Sequence, residues 1–143
     1  MNTKNQSPYH LFSFVYLGFA QLSNKDLIEK EIDEIKKKIA IWMNLNPSNI
    51  LEFNKIMDET INWYQSIKEN ERLEYVLEIA RHINSIEGFT LENKKTFLSD
   101  IRDIAVADGR FNSDEKHLHD RIAKELGINV MTIDKNTRKK LGY

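Results

Sequence analysis

Apolar residues recur at every third or fourth position along most of this chain, which is the spacing of amphipathic helices. Leu11, Phe12, Val15, Phe19 and Leu22 share one stripe, with Pro8 placed for a first helical turn behind Ser7. Phe14, Tyr16 and Leu17 add apolar surface on the other sides, which predicts a central helix. Ser23-Asn24-Lys25-Asp26 reads as a break and a capping box, and the helix after it carries Ile28, Ile32, Ile35, Ile39 and Trp42 on one face. Pro47 breaks the chain again. Ser48 or Asn49 then caps a third helix with Phe53, Ile56, Met57, Thr60, Ile61 and Tyr64 inward. The polar run from Lys68 to Glu71 precedes a fourth helix, with Leu73, Val76, Leu77, Ala80 and Ile83 inward and a stop at Gly88. Thr90 caps a fifth, carrying Phe97, Ile101, Ile104 and Ala105, and a sixth runs through Leu118, Ile122 and Leu126 to Gly127. No stretch alternates apolar and polar residues long enough for a strand, so the predicted class is all-α. Residues 129–143 form a tail with a short helix at best. A weak internal repeat at an offset of 87 residues lays Phe19-Ala20, Ile35, Ile39 and Ile41 on Val106-Ala107, Ile122, Leu126 and Ile128.

Composition narrows the function classes. The 143 residues suffice for one domain with its own core, and 41% apolar with 30% charged residues describes a globular chain. A net charge of -1 gives no general pull toward nucleic acid or acidic lipid. The run Lys36-Lys37-Lys38 sits near a helix end, where cations match the helix dipole, and reads as a solvated face. The absence of cysteine excludes disulfides, thiolate metal sites and cysteine nucleophiles, and suits a reducing interior. The apolar run Leu11–Ala20 lacks the cationic start and cleavage site of a signal peptide and is shorter than the roughly 20 residues that span a bilayer. The expectation is a cytoplasmic protein with no membrane insertion and no nucleic-acid partner.

The most specific stretch is Ile104-Ala105-Val106-Ala107-Asp108-Gly109-Arg110-Phe111-Asn112-Ser113-Asp114-Glu115. An apolar helix end runs into Asp-Gly, an aromatic and an acidic helix start. Gly109 suits the positive φ that closes a helix, and Asn112 with Glu115 forms a capping box for the next. This run resembles the acidic hairpin of the TerB-like family, small helical domains named for bacterial tellurite resistance and also found at the head of some membrane co-chaperones. The resemblance spans roughly residues 10 to 128, and its specific part is the second hairpin. It implies one TerB-like domain over residues 1–143 with its core over about 8–128. The architecture implied is an all-α bundle of about six to seven helices containing two pseudo-repeated helical hairpins.

In that family both hairpins tend to carry the Asp-Gly and acidic-helix pattern, and the acids have been thought to bind a cation. Asp108 and Glu115 hold matching positions here, with Asp114 adjacent. The first hairpin departs from the pattern: Gln21 and Leu22 stand in place of Asp-Gly, and Ile28 stands opposite Glu115. Asp26, Glu29 and Glu31 lie nearby with their register open. An EF-hand is excluded by spacing, because Gly109 at loop position six puts Ile104 and Val106 at positions one and three, where side-chain oxygens are required. Glu115 and His119, four apart on one helical face, can share a metal ion with Asp108 as a third ligand across the turn. Hard oxygen ligands favour weak calcium or magnesium binding, with no cofactor required. The alternative is that Asp108 and Glu115 only cap and punctuate a solvated hairpin.

Phosphate loops, the zincin His-Glu-x-x-His pattern and the Gly-x-Ser-x-Gly elbow are all missing, so no catalysis is expected. His10 falls in the polar lead-in, His82 reads as a core or capping residue, and Trp42, Trp63 and Tyr64 as core filling. What the resemblance implies is a non-enzymatic binding or scaffolding component in bacterial stress or tellurite-resistance responses, with an unidentified protein partner. The rival expectation is a partner-recruiting subunit of a larger co-chaperone-like or defence assembly with no metal. Any chaperone link would run through a separate chain, since no His-Pro-Asp motif occurs.

Overall fold

Every regular element of the computed structural model is helical, and the structure describes residues 6–23, 29–106 and 113–128. The α-helices are α1 (Pro8–Ser23), α2 (Glu29–Trp42), α3 (Ile50–Ser66), α4 (Arg72–Asn84), α5 (Leu91–Ala105) and α6 (Ser113–Glu125), with a 3₁₀ turn at Glu69–Glu71 before α4. The fold is therefore an all-α bundle, and no strand occurs among the described residues. No described helix is long and apolar enough to cross a membrane. The tail at 129–143 and the Asp108-Gly109 turn lie outside the described residues.

Helix α1 is the axis. Leu11 through Leu17, Phe19 and Ala20 are all buried, so it is covered on every side, as its all-round apolar pattern predicts. It packs against each of the other five α-helices. Phe12 meets Trp42, Phe89 and Phe97, while Phe14 meets Trp63 and Tyr64. Each fully buried side chain of this size contributes about 1.5–3 kcal/mol. Gly18 permits the close approach of α4, because a Cβ there would lie 2.6 Å from Val76 Cγ2.

The helix ends follow capping chemistry, with two departures from expectation. At α1, His10 takes the place that glutamate holds in a capping box: its N–H donates to Ser7 Oγ at 3.3 Å and its Nδ1 accepts the Ser7 N–H at 3.0 Å. His10 is thus buried in the first turn instead of sitting in a polar lead-in, and its Nε2 faces Glu59 of α3 at 3.4 Å. Thr90 and Asn93 close a full capping box on α5, as expected. Asn49 occupies the N-cap of α3, but its side chain serves the preceding loop: Oδ1 accepts from Asn46 N–H and Nδ2 donates to the Met43 carbonyl.

Helices α2 and α6 end alike. Asn44 and Gly127 have φ of 50° and 75°, and the N–H groups of Leu45 and Ile128 reach back to the carbonyls of Ala40 and Ala123, both at 2.9 Å. This is the Schellman closure. It matches Asn44 to Gly127, an offset of 83, which pairs buried Ile35, Ile39 and Met43 with buried Leu118, Ile122 and Leu126. The offset of 87 is corrected accordingly: it pairs Ile41, which is 74% exposed, with Ile128, which is 4% exposed.

Candidate functional site

Helix α6 follows the acidic hairpin, and its first turn carries Asp114 and Glu115. Asp114 is exposed, whereas Glu115 and His119 are completely buried. The solvated hairpin face expected for Glu115 is corrected by this placement. Because α6 packs on both α4 and α5, its inward stripe is wide enough to take residues 115, 118, 119, 122 and 123 together.

His119 donates its Nε2–H to the Leu98 carbonyl of α5 at 2.9 Å and meets the Phe19 ring edge-on. Burial drives its pKa down to about 4, with the nearby Arg102 charge acting in the same direction and the Leu98 bond and Asp120 opposing. The ring is therefore neutral at neutral pH, with Nε2 occupied as a donor. A cation would reach this histidine only through Nδ1, and a donor bond to a carbonyl is the usual way such a ligand is oriented. No group of three metal-ligating side chains occurs among the described residues. Glu115 and His119 supply two of the ligands in question, and Asp108 lies outside the described residues.

The first hairpin also carries a buried acid. Glu31, in the first turn of α2, is 1% exposed, and Glu115, in the first turn of α6, is fully buried. Ile28, aligned opposite Glu115 by the uncorrected repeat, lies outside the described residues. At the offset of 83 set by the two helix ends, Glu31 falls on Asp114, one position from Glu115, so the two buried glutamates occupy the same turn without being equivalent positions.

A second polar group, unforeseen from the sequence, ties three helices together. Trp42 Nε1–H is shared between Tyr16 Oη and Asp100 Oδ2, each at 2.9 Å, and Tyr16 donates to Asp100 at 2.7 Å. Lys38 donates to Asp103 at 2.8 Å and stands 3.9 Å from Asp100. Burial raises the Asp100 pKa above the usual carboxylate value despite these partners, and burial with the adjacent Asp100 charge raises Tyr16. Lys38 accordingly belongs to an interhelix contact, while Lys36 and Lys37 are exposed as expected.

A cavity of about 200 Å³ opens between α1, α3, α4 and α6. Buried Val76 and Leu118 line it together with Gly18. Arg72 lies over the Tyr64 ring, 4.7 Å from its centroid, and Burial of Tyr64 lifts its phenol to about 12 against the pull of Arg72. Leu73, expected inward, is 45% exposed and lines the cavity. Across the molecule, Pro8, Tyr9, Phe12, Trp42 and Phe89 line a shallower aromatic groove of about 180 Å³. His82 is exposed and not a core residue.

Comparison of the chain with family models, with curated proteins and with solved structures found no match.

Proposed function

We propose that this chain is a non-enzymatic TerB-like module, bacterial and cytoplasmic, acting as a binding or scaffolding component in stress or tellurite-resistance responses. The observation that carries this reading is the pair of helical hairpins, α1–α2 and α5–α6, each placing a buried glutamate in the first turn of its second helix. In the resemblance drawn above, acids from both hairpins belong together, and Glu31 gives the first hairpin a buried acid one position off the register of Glu115. Weak calcium or magnesium binding at the second hairpin would use Asp108 and Glu115, with His119 contributing through Nδ1. Such an ion would cross-link the turn to α6. With Glu115 and His119 both buried, the ion would have few protein ligands and little room for water, so its binding would be weak.

The test is thermal melting of the full chain across a calcium and magnesium titration. An ion bound only by the folded state raises the melting temperature progressively once its concentration passes the dissociation constant. If the hairpin binds an ion, the wild type shows that rise and a chain carrying Asp108→Asn with Glu115→Gln shows none. A flat wild-type melt removes the cation from the proposal.

The second reading, a partner-recruiting subunit without metal, draws support from the burial of Glu115 and His119, which suits structural roles for both. Co-purification of a stoichiometric partner from the bacterial host, unchanged in chelator, would select it. Loss of that partner in chelator would select the first.

A further inference from the structure

The guanidinium of Arg72 is held rigidly at the wall of the cavity by neutral groups only. Its Nε–H donates to the Ile67 carbonyl at 3.0 Å, Nη1 to Gln21 Oε1 at 2.9 Å and Nη2 to the Gln65 carbonyl at 3.5 Å. Tyr64 supports its face and donates to the same Gln21 oxygen. No carboxylate among the described residues stands within 4.0 Å of it, although Glu69 lines the same cavity one turn earlier. A guanidinium has five N–H donors, and these contacts use three, leaving one on each terminal nitrogen. A fixed, charged fork without a counter-ion at the edge of a cavity is suited to a carboxylate.

The rest of the cavity selects the body of the ligand. Val76, Leu118 and Leu73 are hydrocarbon surfaces, and Gly18 presents no side chain. A cavity of about 150 Å³ holds a benzene ring, so about 200 Å³ accommodates a ring or branched chain with one carboxylate. Glu69 at the rim disfavours a second negative charge on the ligand, by like-charge repulsion. We infer that the cavity between α1, α3, α4 and α6 is a binding site for a small monocarboxylic acid with an aromatic or branched apolar body, its carboxylate on Arg72 and its body on Leu73, Val76 and Leu118. This goes beyond the hairpin reading and does not depend on it: Glu115 and His119 line no part of the cavity, and Asp108 lies outside the described residues.

The experiment is amide-resolved NMR titration of the full chain with three probes: phenylacetate, 2-phenylethanol as its uncharged analogue, and inorganic phosphate. A ligand of about ten heavy atoms should bind with a Kd on the order of 1 mM. Phenylacetate is expected to give saturable shifts at Arg72, Leu73, Val76 and Leu118, with 2-phenylethanol about tenfold weaker at the same amides and phosphate without effect. In Arg72→Gln the phenylacetate affinity should fall about 10-fold or more while 2-phenylethanol is retained, a contrast that unfolding would not produce. Leu73→Glu alters an exposed rim position and provides a second variant. It should leave the amide spectrum dispersed and weaken phenylacetate about tenfold. Absence of saturable shifts, equal binding of acid and alcohol, binding of phosphate with the affinity of phenylacetate, or unchanged phenylacetate affinity in both variants would overturn the assignment.

Discussion

At the scale of single residues, His119 shows how burial converts a polar side chain into a pH-dependent element of stability. In the unfolded chain its pKa is that of an ordinary histidine, about 6.5, and in the fold it falls to about 4. Between those values the unfolded state binds the proton and the folded state does not. This contribution to stability is therefore complete above pH 6.5 and lost as pH falls toward 4, and the interval corresponds to roughly 3 kcal/mol. Equilibrium unfolding of wild type and His119→Gln over this range should show the acid-side loss shrinking in the variant, whose amide N–H can still donate to the Leu98 carbonyl. The helical spacing of Glu115 and His119 was legible from the sequence. Their burial was not, because a polar residue at an inward-facing position carries no apolar signal, and only the packing of α6 against two helices reveals how wide that stripe is. Leu73 shows the converse, an apolar residue on the right stripe but in a first turn that no neighbour fully covers.

At the scale of the element, periodicity placed all six helices, and caps such as Thr90 and Gly127 were readable as local chemistry. Contacts across sequence distance were not. Tyr16, Trp42 and Asp100 each have a sufficient local explanation as core or solvated residues, so nothing within their own helices announces the bonds joining α1, α2 and α5. Tyr16→Phe leaves the buried carboxylate with one fewer donor and should cost about 1–3 kcal/mol in denaturant unfolding. Asp100→Asn tests the charge itself. A carboxyl pKa raised by folding gives a contribution that is present at low pH and lost as pH rises through the folded value. Relative to Asp100→Asn, the wild type should therefore lose melting temperature as pH climbs above about 4. A difference between the two proteins that is constant with pH would count against a raised Asp100 pKa.

At the scale of the whole molecule, the arrangement depends on how closely α4 can approach α1. Gly18→Ala places a methyl 2.6 Å from Val76 Cγ2, and a β-branched valine has little rotamer freedom to yield. Overpacking of this kind should cost about 1–3 kcal/mol. In a double-mutant cycle with Val76→Ala, which removes the opposing methyl, much of that cost should disappear; strict additivity would show that the two positions are uncoupled. The same axial helix has a consequence for how the protein is made. Translation delivers α1 before every element that covers it, and its Tyr16 finds its acceptor at Asp100, 84 residues later. Until α5 emerges from the ribosome, one flank of the most apolar segment has no native surface to rest on. Folding of the nascent chain is thus deferred until α5 has emerged, and during that interval α1 is a natural client for chaperones that hold exposed hydrocarbon.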